Sequence, residues 1–150
     1  MEYWQEIFLI TFTLLNLLIS IRGFYECKYI KNSYKLTPIL NIFGIFAWGD
    51  AVIFGPFWTI TAIAAYFFNN WFLFLLTISV FWFVRSLGET IYWFNQQFSN
   101  KELNPPKKLL GYSFFQNDSI WYIYQIFWQS ITIVSIIFII YFSKLWLSSL

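Results

Sequence analysis

Histidine is absent from this chain, cysteine occurs once, at Cys27, and charged side chains make up only 11% of the 150 residues. The first absence removes the commonest metal ligand and general base together. The second excludes an internal disulfide, and with it thiol redox and zinc-cluster chemistry. There is no Walker loop, dinucleotide fingerprint, Gly-x-Ser-x-Gly elbow or metal-ligand constellation. Neither a metal nor a cofactor is expected. Net charge is only +2, and two connecting loops account for it, so nucleic acid is not an expected partner.

What the chain has instead is apolar length. Hydrophobic residues reach 59%, gathered into runs at about Ile7 to Ile21, Trp48 to Phe68, Trp71 to Phe94 and Ile120 to Phe142. Each approaches or exceeds the roughly 20 residues a helix needs to cross about 30 Å of hydrocarbon. A soluble domain of this size has no interior large enough for so much apolar surface. The expected fold is all-α: one integral membrane domain over 1–150, a bundle of four transmembrane helices at about 5–25, 48–68, 71–97 and 120–143. Loops one and three then cover about 26–46 and 98–119. The N-terminal segment lacks the positive region of a signal peptide, and no small-residue cleavage site follows the first run, so that run is expected to remain as a span.

Orientation follows from the cations. Arg22, Lys28, Lys31 and Lys35 lie in or beside loop one, Lys101, Lys107 and Lys108 in loop three, and only Lys144 near the C-terminus. By the positive-inside rule, both loops face the cytoplasm and both termini face out, in a multi-pass protein of the cell membrane. Tyr3, Trp4, Tyr66, Trp71 and Trp146 at one end, and Tyr25, Tyr29, Tyr92, Trp93, Trp121 and Tyr122 at the other, form the two aromatic belts such a protein carries.

Thr37-Pro38 reads as an N-cap followed by proline at the first helical position. A helix running from there to Phe68 would be about 45 Å long, more than a bilayer requires, which favours a separate short interfacial helix near residues 38–46 that breaks around Gly44 or Gly49. Gly55-Pro56 should kink the second span, because proline leaves the Val52 carbonyl without its helical donor. Asp118 or Ser119 should cap the fourth helix.

Ala47, Ala51, Gly55, Thr59 and Ala62 recur at helical spacing and form a groove of small side chains for a neighbouring helix, expected to be the third. Thr13, Asn16, Ser20, Gly23 and Cys27 make a comparable stripe on the first helix, and Gln125, Gln129 and Thr132 mark the inner face of the fourth. Counting inward from the Asn69-Asn70 turn sets Asp50 level with Glu89, both about 28 Å from that turn, with Arg85 one turn shallower. Arg22, Asn16, Gln125 and Gln129 complete the candidate polar layer. The reading expects Arg85 to donate to Asp50, and allows Arg22 either to join the layer or to reach lipid headgroups beside Glu26. Trp58 and Trp82 lie at matching depths, where each indole N–H needs an acceptor.

Three functions fit these residues. A non-catalytic membrane subunit or scaffold is favoured by small size, short loops and the lack of a catalytic constellation. A transporter or lipid-handling protein would need a cytoplasm-facing cavity and an oligomer of parallel subunits, given the strong charge bias. An intramembrane lipid-modifying enzyme would use Asp50 or Glu89 as base and Arg85 to hold a phosphate. The expected partners are therefore the lipid bilayer and another membrane protein or further copies of this chain.

The topology is open to direct measurement. With single cysteines introduced at Lys31 and Asn70 in a chain lacking Cys27, only the one at Asn70 should react with an impermeant reagent added outside. Reaction at position 31 would invert the orientation.

Overall fold

The computed structural model describes residues 1–99 and 104–149; Lys101, counted above among the loop-three cations, lies outside them. Helix dominates, and four helices are long and apolar enough to cross a membrane, as the run lengths require. The chain is a multi-pass membrane protein. Helix α1 spans Tyr3–Tyr25 and continues as a π-helical turn over Glu26–Ile30, ended by Lys31 in the left-handed region. Next come a 3-10 helix at Pro38–Phe43, α2 at Trp48–Phe67 and α3 at Trp71–Phe98. A 3-10 turn at Pro106–Lys108, the short α4 at Tyr112–Phe115 and the long α5 at Ser119–Leu147 complete the chain. Two compact units form, residues 1–77 with 142–150, and residues 78–141.

In the first unit α1 and α2 pack side by side and antiparallel. A Cβ placed on Gly23 would sit 2.6 Å from the Cβ of Ala51, and one placed on Gly55 would collide with Ser20. The helices meet through their smallest side chains, the arrangement that gives close backbone approach where no hydrophobic force drives helices together in lipid. Ala51, Gly55 and Ala62 are buried and Ala47 and Thr59 half-buried. The neighbour pressed against Gly55 and Ala51 is α1, whereas the sequence reading expected the helix that follows in the chain. Small-residue spacing marks a face for close contact without naming its occupant; here Ser20 and Gly23 provide the matching surface. Polar groups on α1 fold back onto its own backbone: Asn16 Nδ2 donates to the Phe12 carbonyl at 2.9 Å and Ser20 Oγ to that of Asn16 at 2.7 Å.

Toward the other end of α1, an aromatic cluster closes the unit. Phe12 packs edge-on against Phe43, Trp58 and Phe74, and Phe8 and Trp4 each pack edge-on against Trp71. Such edge-to-face pairs add to the stabilisation from area alone. Helix α2 continues through Gly55-Pro56, so the proline, where the sequence predicts a kink, does not end it.

In the second unit Trp93, Ile120 and Trp121 form the core, with Tyr92, Leu109, Tyr112 and Tyr124 against them. Asn104 ties the loop to two helices. Its amide donates to the Tyr92 hydroxyl at 2.5 Å, its N–H to Gln96 Oε1 at 3.4 Å, and its carbonyl accepts from Trp121 Nε1 at 3.0 Å. At the start of α5 the side-chain acceptor is Asn117, which takes the Ser119 N–H at 2.8 Å; the sequence reading looked one or two residues later, to Asp118 or Ser119.

The close approach of α1 and α2 makes opposite predictions for two glycines. Gly23→Leu should destabilise the protein in detergent by about 1–3 kcal/mol, since it overpacks a site with no room. Gly88, which meets nothing within 4 Å, should gain about 0.5–1 kcal/mol as alanine through helix propensity. Thermal melts of both variants check this, and an unchanged melting temperature for Gly23→Leu would mean the α1–α2 contact is misassigned.

Candidate functional site

A helix that starts at Trp48 leaves its first N–H groups without intrahelical partners. The preceding loop takes them instead. Trp48 N–H donates to the Lys35 carbonyl at 3.3 Å and Gly49 N–H to that of Ser33 at 2.9 Å. Asp50, three positions into the helix, reaches back so that Oδ2 accepts from the N–H of Phe46 at 2.9 Å and of Ala47 at 3.2 Å. That is the acidic half of a capping box, and its negative charge also suits the positive end of the helix dipole.

These bonds fold loop one into a hairpin. Leu36 and Ala47 form an antiparallel bridge, Thr37 N–H donates to the Phe46 carbonyl at 2.9 Å, and the buried Thr37 hydroxyl donates to that of Ile45 at 2.9 Å. Thr37 does precede the Pro38–Phe43 helix as expected, but its side chain spans the hairpin; it makes no cap bond. Beyond the bridge the chain turns at Gly44, φ +70°, where glycine adopts a left-handed conformation at no steric cost. The tip lies deep along α1 and α2. Trp58 Nε1, about 15 Å along α2 from Trp48, donates to the Phe43 carbonyl at 2.8 Å, and the Phe43 ring meets Phe12 midway along α1. The expected short helix is therefore present and turns back alongside the spans, anchored by the acceptor that the Trp58 indole needed. Ile19, Ile45 and Ala51 are buried beneath it.

Arg22 pairs with Glu26 at 2.6 Å, one turn apart on α1; the carboxylate is buried and the guanidinium is 57% exposed. Asn32 also reaches Glu26, at 3.5 Å. Between α1 and the arm of the hairpin that leads into the 3-10 helix lies an open cavity of about 500 Å³, with Arg22, Glu26 and Lys35 at one end and Leu18, Ile39 and Leu40 along its wall. Of these, sequence reasoning singled out only Arg22 and its neighbour Glu26. Lys35 and Ile39 became candidates only once the hairpin brought them beside α1.

The second unit holds the other polar candidates. Arg85 lies 3.5 Å from Glu89 on the same helix, and Glu89 Oε2 accepts from Trp93 Nε1 at 3.2 Å. Gln125 Oε1 accepts from Gln97 Nε2 at 2.6 Å, joining α5 to α3, and Thr132 Oγ1 donates to Ser86 Oγ at 2.9 Å. Gln129 is half-buried. Gln97, Ser86 and Trp93 were not anticipated as partners; i, i+4 spacing signals Trp93 beside Glu89, whereas Gln97 and Ser86 meet Gln125 and Thr132 across two helices, which no spacing along the chain reveals. Trp82 lines a separate apolar groove of about 400 Å³ with Ser79, Phe127 and Ser135.

Among the described residues no three His, Cys, Asp or Glu side chains gather where they could hold a metal ion, and Asp50 and Glu89 each accept hydrogen bonds from protein donors. Compared with family models, curated proteins and solved structures, the chain matches none.

Proposed function

We propose that this protein is a non-catalytic membrane subunit or scaffold, in which the intramembrane charges hold the fold and the aromatic, lipid-facing surface meets another membrane protein or further copies of the chain. The observation that carries the reading is that each of these charges already has a protein partner. Arg22 has Glu26, Arg85 has Glu89, and Asp50 accepts two N–H groups at the head of its own helix. A general base needs an accessible lone pair within reach of substrate, and a carboxylate whose oxygen already closes a helix end is occupied with structure. The apolar surface supports the partner half of the reading. Among many others, Ile53, Ile60, Val84, Phe127, Ile133 and Ile137 are exposed, as lipid-facing or partner-facing residues must be.

The reading is tested by separating stability from phenotype. Arg85→Leu removes the cation beside the Glu89 carboxylate and should cost about 1–3 kcal/mol; adding Glu89→Gln, which keeps an acceptor for Trp93, should recover most of that. Thermal melts measure both. A double variant that melts like the parent and supports normal growth where the deletion strain does not would agree with structural charges. If instead it melts normally yet behaves like the deletion, the charges perform chemistry or transport and the proposal fails.

A further inference from the structure

The cavity between α1 and the hairpin has the build of a site for an amphiphile. Its volume, about 500 Å³, falls within the roughly 300–1,000 Å³ of small-molecule sites. Polar and apolar linings are segregated along it. One end carries two cations and one carboxylate, Arg22, Lys35 and Glu26, which leaves a net positive charge. The wall leading away from them is Leu18, Ile39 and Leu40, running beside α1 toward its middle.

The cations have capacity to spare. Arg22 uses one nitrogen on Glu26, while a guanidinium offers five N–H donors and suits a phosphate bidentately. The Lys35 ammonium makes no ion pair or hydrogen bond among the described residues; only the Lys35 backbone is used, its N–H on the Asn32 carbonyl and its carbonyl on Trp48 N–H. A free anion would satisfy these groups but leave the apolar wall uncovered. Leu18, Leu36 and Ile39, the last 89% exposed, call for hydrocarbon beside them.

We infer that this cavity binds one anionic phospholipid, its phosphate held by Lys35 and Arg22 and an acyl chain lying along Leu18, Ile39 and Leu40. The ligand would come from the leaflet bordering loop one, and by bridging α1 and the hairpin it would hold together the segment that caps α2. The inference stands apart from the structural reading of the charges, because a scaffold and a transporter alike can carry a bound lipid.

The test is native mass spectrometry of the purified chain released from mixed micelles, titrated with phosphatidylglycerol or phosphatidylcholine. One phosphatidylglycerol per chain should be retained, at least fivefold more tightly than phosphatidylcholine. Lys35→Gln should weaken that retention at least fivefold and Lys35→Arg should preserve it. Neither should change the melting temperature in lipid-free detergent, since the Lys35 side chain has no partner to lose. Ile39→Ser, which shortens the apolar wall at an exposed position, should also weaken retention, and Lys107→Gln should leave it unchanged. Excess glycerol 3-phosphate should not displace the lipid. Equal retention of the two lipids, equal loss in Lys107→Gln, or full displacement by glycerol 3-phosphate would each overturn the proposal: the first removes headgroup selectivity, the second leaves only general attraction, and the third makes the site one for a free anion.

Discussion

A helix leaves its first backbone N–H groups without intrahelical acceptors, and the start of α2 is where that requirement shapes this molecule. The chain before Trp48 meets it. It supplies the carbonyls of Ser33 and Lys35, and it offers the N–H groups of Phe46 and Ala47 to Asp50. Once Ser33 and Lys35 are held at the helix end, residues 36–46 must turn back on themselves. The hairpin follows from the cap. The same logic governs its tip, where the carbonyl of Phe43 is satisfied by Trp58 and that of Ile45 by Thr37.

The hairpin in turn needs a wall to lie against, and the contact of α1 with α2 provides it. Gly23 against Ala51 and Ser20 against Gly55 bring the two backbones close, which leaves a shallow furrow along the pair and places Ile19 and Ala51 under Ile45. Larger side chains at those positions would push the helices apart and take the floor from under the hairpin. Stability of the spans and placement of the cavity at Arg22 and Lys35 are thus coupled through four small residues.

The four spans were legible in the sequence because length and hydropathy are additive signals, little affected by which helix meets which. The small-residue stripes at Ser20 and Gly23 and at Ala51 and Gly55 were legible as close-contact faces, but a glycine does not specify its neighbour. The capping role of Asp50 was not legible for a definite reason: a capping box is recognised by Ser or Thr at the N-cap, and Ala47 occupies that position. The depth of the hairpin was hidden too: Thr37-Pro38 and the apolar residues 39–46 read as an interfacial helix. What distinguishes the actual placement is long-range, the bonds from Trp58 to Phe43 and from Thr37 to Ile45. Arg22 beside Glu26 was visible from i, i+4 spacing alone.

Local engagement of charge also bears on assembly. Because Arg22 and Arg85 each have a carboxylate one turn away on the same helix, and Asp50 is held by its own helix end, these charges have protein partners before any partner helix arrives. A subunit that had to borrow a counter-charge from its neighbour would be costly to insert alone, given what an uncompensated charge costs inside a bilayer. This chain carries its compensation with it. On the proposed reading as a subunit, insertion and helix pairing would precede assembly, leaving association to shape and aromatic contact across the lipid-facing surface. That order suits a subunit whose specificity lies in packing, since interhelical polar bonds in membranes are individually modest, averaging about 0.6 kcal/mol.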